Sequence, residues 1–242
     1  MHALALDRAE TYLNSQWRES RTPWALKSQN PPAFVTVSRQ SGSGGTAFAR
    51  ALARQLNGEA PEGTLWTIYE GNLTTRMLES NHLSTRFARY LPEDRISEVN
   101  ASIGELVGLH PNLWELVQKM NETLHDLAES HHAILVGRGA NFATRRMEGG
   151  VHVRLVAPAE YRARYLALLY DMSERDALIL NAKRDAARRR YVKATFSADV
   201  DDPRGYDLVL NTGEMTLSEA ATIAASLVKA RQRTLASQLK SA

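Results

Sequence analysis

The segment that most constrains this chain is a glycine-rich stretch directly after a short run of apolar and β-branched residues. The run reads Ala-Phe-Val-Thr-Val at residues 33–37, and residues 38–46 read Ser-Arg-Gln-Ser-Gly-Ser-Gly-Gly-Thr. An amphipathic helical pattern follows over residues 46–56. A strand, a tight glycine turn and a helix start, in this order, place backbone N–H groups around an anion. We therefore predict that residues 38–46 bind phosphate, the alternative being an ordinary glycine-rich turn.

The stretch matches the common phosphate-loop pattern only in part. That pattern has two glycines, the second followed by a lysine and a hydroxyl residue. Gly44 takes the place of the second glycine, and Thr46 that of the hydroxyl residue, which holds Mg²⁺. Arg39 replaces the first glycine, and Gly45 stands where the lysine is expected. The loop alone therefore leaves both interpretations open.

Strands and helices alternate along the rest of the chain. Apolar runs predict further buried strands at residues 133–136, 151–157 and 208–210. Helical patterns cover residues 112–130, 159–170, 174–196 and 217–239, and residues 65–108 also read as mostly helical. This alternation predicts an α/β fold, a parallel sheet with helices on both faces. Residues 1–30 are predicted to form an N-terminal helical extension to the main domain at residues 31–242, because Pro31 and Pro32 end its helical pattern.

Composition limits the class of protein. The chain has 242 residues, of which 43% are hydrophobic, and this is enough for one domain with a full core. It has no cysteine, so disulfides, thiolate catalysis and cysteine-bound metals are excluded. No apolar run approaches the roughly 18 residues needed to span a membrane, and residues 1–10 lack a secretory signal pattern. We predict a cytoplasmic protein without a membrane partner.

Six sequence blocks carry a family resemblance. They read Ser-Arg-Gln-Ser-Gly-Ser-Gly-Gly at 38–45, Val-Gly-Arg-Gly-Ala-Asn-Phe at 136–142, Val-Arg-Leu-Val-Ala-Pro at 153–158, Lys-Arg-Asp at 183–185, Asp-Asp-Pro at 201–203 and Tyr-Asp-Leu-Val-Leu-Asn-Thr at 206–212. Together these blocks resemble the cytidylate kinase-like family of P-loop proteins, in which a glycine-paired loop without lysine is usual. The resemblance covers residues 33–227 and implies a P-loop NTPase-type sheet. It also implies a helical acceptor-binding insertion near residues 65–110 and a lid near residues 171–200.

The resemblance implies an activity as well as a fold. It implies an ATP-dependent phosphotransferase that acts on a nucleoside monophosphate, with CMP or dCMP as the default acceptor, or on another small acceptor. Cytidylate kinases proper carry an acidic residue on each side of the Gly-Arg pair, where this chain has Val136 and Gly139. The expectation of Mg²⁺ therefore depends on Thr46 alone. The missing lysine favours the alternative, a nucleotide-binding regulatory protein with weak or no catalysis.

The resemblance also assigns roles to individual residues. Phosphate binding is implied for Ser38, Arg39, Gly42, Ser43, Gly44, Gly45 and Thr46. Acceptor binding is implied for Glu70, Arg138 and Asn141. A catalytic role is implied for Arg138, which orients the acceptor, and for Arg184 and Arg188, which stabilise the transition state. Arginine suits a phosphate because its planar fork donates two parallel hydrogen bonds. The alternatives are a capping or solvated acid at Glu70 and a structural salt bridge at Arg138.

Cations are concentrated in the predicted lid. Lys183, Arg184, Arg188, Arg189, Arg190 and Lys193 lie within eleven residues of one helical pattern, although the net charge of the whole chain is only +3. On a helix Asp185 can pair with Arg188 or Arg189. A solvated basic helix face is the alternative to a lid. We expect no nucleic-acid partner, because few aromatic residues lie among these cations.

Overall fold

The computed structural model describes residues 33–58, 65–70, 111–129 and 132–241. The strands are β1 (Phe34–Arg39), β2 (Thr67–Tyr69), β3 (Ala133–Val136), β4 (Gly150–Val156) and β5 (Leu208–Asn211). The helices are α1 (Gly45–Asn57), α2 (Pro111–Glu129), α3 (Ala140–Ala143), α4 (Ala159–Tyr170), α5 (Glu174–Phe196) and α6 (Leu217–Ser241), with a 3₁₀ turn at Pro203–Gly205. The predicted N-terminal helix and most of the predicted insertion lie outside the described residues.

The five strands form one parallel sheet in the order β2-β3-β1-β4-β5. The central strand is β1, in which Val37 pairs with Val136 on one side and with Val153 on the other. Because all strands run in the same direction, their carboxyl ends meet at one edge of the sheet. The predicted α/β fold is confirmed, and that edge is where ligands of open α/β sheets bind.

The core lies between the sheet and the helices α1 and α6. Apolar side chains recur on α1 at spacings of three and four, so that Phe48, Leu52 and Leu56 are buried on one face. They pack in one cluster with Val35 and Val37 of β1. On α6 the side chains facing this cluster are small, with Ala220, Ala221, Ala224, Ala225 and Val228 all buried. Small residues allow α6 to pack closely against α1. This packing holds α1 in place, with its first turn at the carboxyl edge of the sheet.

One part of the sequence prediction was wrong. Residues 67–69 were predicted to lie in a mostly helical stretch, but they form β2 at the edge of the sheet, where Thr67 pairs with Ala133. The strand has only three residues, and its side chains are exposed, half-buried and buried in turn. A run of three residues beside the apolar Leu65 and Trp66 is too short to show either the alternation of a strand or the 3.6-residue period of a helix. Glu70, which follows β2, is thereby placed at the carboxyl edge.

Helices α4 and α5 have the predicted bounds and pack against each other. Ser173 is the N-cap of α5 and its hydroxyl accepts a hydrogen bond from the Asp176 N–H at 3.1 Å. Between the two helices lies a small cluster of Ala163, Leu166 and Ala177. The helix pair follows β4, and α5 leads back to the sheet through the 3₁₀ turn and β5. Of the helices in the described ranges, none is long and apolar enough to cross a membrane.

His132 predicts a pH dependence of stability. Its ring contacts Trp66 edge-on at 5.2 Å between centroids, and burial lowers the pKa of its imidazole below the ordinary 6.5. The unfolded chain therefore binds a proton at this histidine more readily than the folded one. The contribution of His132 to the free energy of unfolding is complete above pH 6.5 and is lost as the pH falls below it. His152, whose pKa burial also lowers, acts in the same direction.

We expect His132→Asn to reduce this dependence. Asparagine does not titrate, and it tolerates the backbone φ of 56° at this position. The loss of unfolding free energy between about pH 7.5 and pH 5.5 should be smaller in the variant than in the wild-type protein. Urea denaturation at both pH values measures the difference, and equal losses in the two proteins would contradict the prediction.

Candidate active site

A tight loop joins β1 to α1 at the carboxyl edge of the sheet. The Gln40 N–H donates to the Leu155 carbonyl at 3.0 Å, and the Ser43 hydroxyl donates to the Gln40 carbonyl at 2.8 Å. Gly42 and Gly44 have φ of 80° and 81°, a left-handed conformation that glycine adopts at low cost. Gly44 is the N-cap of α1 and provides no side-chain cap. The first N–H groups of a 13-residue helix therefore begin at this loop without a capping side chain at the N-cap position.

Two distant hydrogen bonds hold the loop on the sheet. The Gln40 side-chain oxygen accepts from the Ala157 N–H at 3.1 Å, and the Thr212 hydroxyl donates to the Ser43 carbonyl at 3.0 Å. These contacts come from the segments that follow β4 and β5, so both neighbouring connections fix the loop. Its shape is set by the fold around it.

A buried carboxylate connects the loop to the helix pair. Asp185 on α5 is only 8% exposed, and its Oδ1 accepts from the Ser41 N–H at 2.7 Å. Arg162 on α4 donates to Asp185 Oδ2 at 2.8 Å and to the Ser41 carbonyl at 3.0 Å. Arg188, one turn further along α5, donates to Oδ1 at 3.2 Å. Two arginines thus compensate one carboxylate. Of the two pairings predicted for Asp185, the one with Arg188 is observed, whereas Arg189 pairs with Asp201.

A second polar cluster lies beside β1 under the 3₁₀ turn. Arg154 on β4 is 4% exposed, donates to the Ser38 hydroxyl at 2.9 Å and forms an ion pair with Asp201. Burial raises the pKa of Asp201, but hydrogen bonds and charge from Arg189 and Arg154 outweigh burial and lower it overall. Arg154 also lies 5.6 Å from the ring centroid of Tyr206, and burial raises the pKa of this phenol. The cluster keeps its charges paired and holds Ser38 in place.

A cleft opens at the carboxyl ends of β1 and β3. Its lining includes Ser38, Arg39, Arg138, Asn141, Arg188 and Tyr191. Arg138 has a backbone φ of 61°, which is uncommon outside glycine and is held by the surrounding structure. The Tyr191 hydroxyl donates to the Arg138 carbonyl at 3.3 Å. Three arginines thus line one small cleft next to the glycine loop. Guanidinium groups are suited to anions with several oxygens.

Other predicted site residues lie in different surroundings. The guanidinium of Arg184 lies over the Tyr170 ring at 5.5 Å, on the side of α5 that faces the end of α4. Asn141 is 3% exposed and its amide donates to the Gly205 carbonyl at 3.3 Å. Thr46 is exposed at the start of α1. Within the part of the chain that the structure describes, Oε1 of Glu70 is buried without a hydrogen-bond partner.

Sequence reasoning missed several residues of this region. Arg154 had a signal that could have found it, since a charged residue within an apolar strand must be paired if buried. No sequence signal indicated Arg162, because an arginine in an amphipathic helix resembles any surface cation. Gln40 lay within the predicted loop, but nothing in the sequence indicated its bond to residue 157. Contacts across more than a hundred residues depend on the fold.

The strand order, the glycine loop after the central strand and the arginines at the same edge define the P-loop kinase class of fold. Within that class, the chain belongs to the cytidylate kinase-like family, whose family model matches residues 34–214. The match covers all five strands of the sheet. The family expected from the six sequence blocks is thereby confirmed.

Individual relatives agree with this assignment. A cytidylate kinase from Thermococcus sibiricus is 25% identical over 178 residues, which cover 74% of this chain and 78% of that protein. A cytidylate kinase from Pyrobaculum aerophilum is 26% identical over 189 residues, 78% of this chain and 89% of that protein. The crystal structure of an uncharacterized protein from Eubacterium ventriosum has a TM-score of 0.62 at 15% identity, covering 83% of this chain and 99% of that one. This last likeness shows the fold alone.

Proposed function

We propose that this protein is an ATP-dependent phosphotransferase whose acceptor is a nucleoside monophosphate, with CMP or dCMP as the first candidate. The observation that carries the proposal is the cleft beside the glycine loop, which brings Arg39, Arg138 and Arg188 together. Phosphoryl transfer requires mainly positioning and neutralisation of charge, so a protein nucleophile is not needed. Cytidylate kinases among the relatives supply the choice of acceptor. A cytoplasmic location, as expected from the sequence, is part of this proposal.

The loop would bind the phosphates of ATP. The N-terminus of α1 carries a partial positive charge, and Gly44 leaves its first N–H groups without a side-chain cap. Gly42, Ser43 and Gly45 complete the turn around that end. Ser38 lies at the base of the loop, where Arg154 holds its hydroxyl. In this arrangement the backbone positions the transferring phosphoryl group at the carboxyl edge of the sheet.

Arginines would neutralise the negative charge on the phosphates of ATP and of the acceptor. Arg138 emerges from the end of β3 into the cleft and would orient the acceptor phosphate. Arg188 lines the same cleft from α5 and would approach the transferring group. Arg184 contacts Tyr170 in this conformation, so its predicted role requires the Arg184 side chain to leave Tyr170 when the helix pair closes. Closure of the helix pair would also exclude water from the reaction.

The acceptor base and sugar would bind on the β2 side of the cleft. Glu70 stands at the end of β2 with Oε1 buried and, among the described residues, without a hydrogen-bond partner. A carboxylate in this position can accept from a sugar hydroxyl or a base amino group. Asn141 lines the cleft, but its amide is bonded to the Gly205 carbonyl, so we propose that it supports the cleft wall.

Mg²⁺ would be bound together with ATP. Thr46 is exposed at the start of α1, and a threonine hydroxyl is a suitable oxygen ligand. Mg²⁺ retains several waters and is usually held through one or two protein oxygens plus substrate phosphates, so a single hydroxyl fits this mode of binding. When bound, the ion would neutralise phosphate charge.

One observation favours a second function, a nucleotide-binding protein without useful turnover. Gly45 occupies the position at which a lysine normally reaches the phosphates. A cation that stabilises the transition state of phosphoryl transfer can be worth on the order of 10³ to 10⁵ in rate. A protein that lacks it could bind ATP and transfer nothing.

A combined binding and turnover screen separates the two functions. Purified protein is mixed with ATP or GTP, Mg²⁺ and each of the common nucleoside monophosphates, and both Tm and product formation are measured. We expect ATP and CMP to raise Tm and to yield ADP and CDP. Stabilisation without product would favour the second function. No response to any nucleotide would overturn both.

Replacement of Arg138 tests the cleft directly. Arg138→Gly removes the guanidinium and fits the left-handed backbone, so the variant should fold as well as the wild-type protein. We expect kcat/KM for the acceptor to fall by about 10² to 10³. The control is Arg146→Ala, an exposed arginine on the turn after α3, which should retain full activity. Equal activity of Arg138→Gly and wild type would exclude Arg138 from acceptor binding.

A further inference from the structure

The side chain of Arg39 occupies the space that a side chain at residue 45 would need. A Cβ placed on Gly45 would lie 2.9 Å from Cγ of Arg39 and 3.3 Å from its Cδ. Carbon atoms in proteins essentially never approach to 2.9 Å, since their optimal separation is about 3.5–4.0 Å. A lysine at residue 45 and an arginine at residue 39 therefore cannot both be accommodated in this loop without a shift.

The same two positions differ together from the common phosphate loop. In that loop the first glycine stands at the position of Arg39, and the lysine stands at the position of Gly45. The absence of a side chain at the first position leaves room for the lysine stem at the second. In this chain the arrangement is reversed, because the larger side chain is at residue 39 and the glycine at residue 45. Either arrangement provides one long cation at the loop.

We infer that Arg39 replaces the missing lysine and supplies the positive charge to the β- and γ-phosphates of a bound nucleoside triphosphate. The inference rests on the proposed function and adds a catalytic residue to it. Arg39 lines the same cleft as Arg138 and Arg188, and its Cγ and Cδ lie beside Gly45 at the start of α1. Guanidinium remains charged and can donate two parallel hydrogen bonds to phosphate oxygens, whereas a lysine acts as a point charge.

The sheet holds the backbone of Arg39 in a fixed position, and this suits the proposed role. It is the last residue of β1, the central strand, and pairs with Leu155 of β4. The next residue, Gln40, is held by two hydrogen bonds to the segment at Leu155 and Ala157. Arg184 and Arg188 instead lie on α5, outside the loop. Arg39 is thus the cation attached most directly to the loop.

The steric part of the inference is tested by stability alone. In the wild-type background Gly45→Ala should lower Tm by about 3 °C or more, because the new Cβ meets the Arg39 stem. In an Arg39→Gly background the same Gly45→Ala change should lower Tm much less, since the stem is absent. Equal effects in the two backgrounds would show that the two positions do not compete, and would overturn this part.

The functional part is tested by exchanging the two residues. Arg39→Gly alone should lower kcat/KM for ATP by about 10² to 10³. Gly45→Lys alone should not raise kcat/KM above the wild-type value. The double variant Arg39→Gly with Gly45→Lys restores the common loop and should recover at least about tenfold over Arg39→Gly. ATP affinity, measured by titration calorimetry, should follow the same order. Retention of full activity and affinity by Arg39→Gly would overturn the inference.

The outcome for the wild-type protein separates this inference from the proposed function. If the wild type neither binds ATP nor forms product, the proposed function is wrong and the role of Arg39 is wrong with it. If the wild type is active and Arg39→Gly equals it, only the role of Arg39 is wrong. In that case a comparison with Arg188→Gln shows whether a lid arginine supplies the charge.

Discussion

Replacing Asp185 by asparagine is expected to lower the free energy of unfolding by about 3 kcal/mol, the low end of the range for a buried ion pair that loses one partner. The carboxylate is 8% exposed and lies between Arg162 and Arg188, whose side chains are themselves largely buried. Without the negative charge, Arg162 is left as a buried cation. The Ser41 N–H also loses a charged acceptor at 2.7 Å.

Thermal unfolding measures this effect. For a chain of this size about 3 kcal/mol corresponds to a Tm decrease of roughly 6–12 °C. The matched control is Asp171→Asn, at an exposed position after α4 with a φ of 51° that asparagine accepts. That control should change Tm by little. Similar Tm values for Asp185→Asn and the control would mean that the two arginines contribute no net stability through this carboxylate.

Gly42→Ala is expected to be at least as damaging, for a steric reason. A Cβ at residue 42 would lie 2.4 Å from the backbone carbonyl oxygen of Arg162, and φ at this glycine is +80°. That carbonyl is in α4, where the Arg162 N–H is itself bonded to the Pro158 carbonyl, so it cannot move alone. We expect a loss of more than about 3 kcal/mol, from overpacking together with the left-handed backbone.

Gly205→Ala provides the control for this substitution. A Cβ there would have its nearest neighbour, Phe142 Cε1, at 3.5 Å, which is an ordinary contact. Its Tm should remain within a few degrees of the wild type, whereas Gly42→Ala should lower Tm by roughly 6 °C or more. Under the proposed function, Gly42→Ala should also reduce the Tm increase that is expected on addition of ATP. Wild-type stability of Gly42→Ala would show that α4 yields easily at Arg162.

The sheet was largely predictable from sequence because most of its strands are buried on both faces. β1 and β3 begin as apolar or β-branched runs, and β4 is an apolar strand interrupted only by His152 and Arg154. The helices α1 and α2 before β3 have a clear amphipathic period. β2 was missed because it has three residues at an edge of the sheet and only one of them is buried. A short edge strand has neither the length nor the alternation that a period requires.

The site was predictable only where a motif or a local contact defines it. The glycine loop and Arg138 follow strands directly, and the pairing of Asp185 with Arg188 is a contact within one helix. The contact of Asp185 with Ser41 joins residues 144 positions apart in sequence, so no local pattern indicates it. The same is true of Arg162, which becomes part of the loop only when α4 folds back over it.

The central place of β1 has a consequence for how the chain is made. β1 is synthesised early, but both of its partners, β3 and β4, are encoded about a hundred residues later. Synthesis proceeds at roughly 5–20 residues per second, so β1 is present for about 5–20 seconds before either neighbouring strand has been made. The strand that carries the glycine loop therefore has no sheet partner during this interval, and a chaperone bound there would protect it.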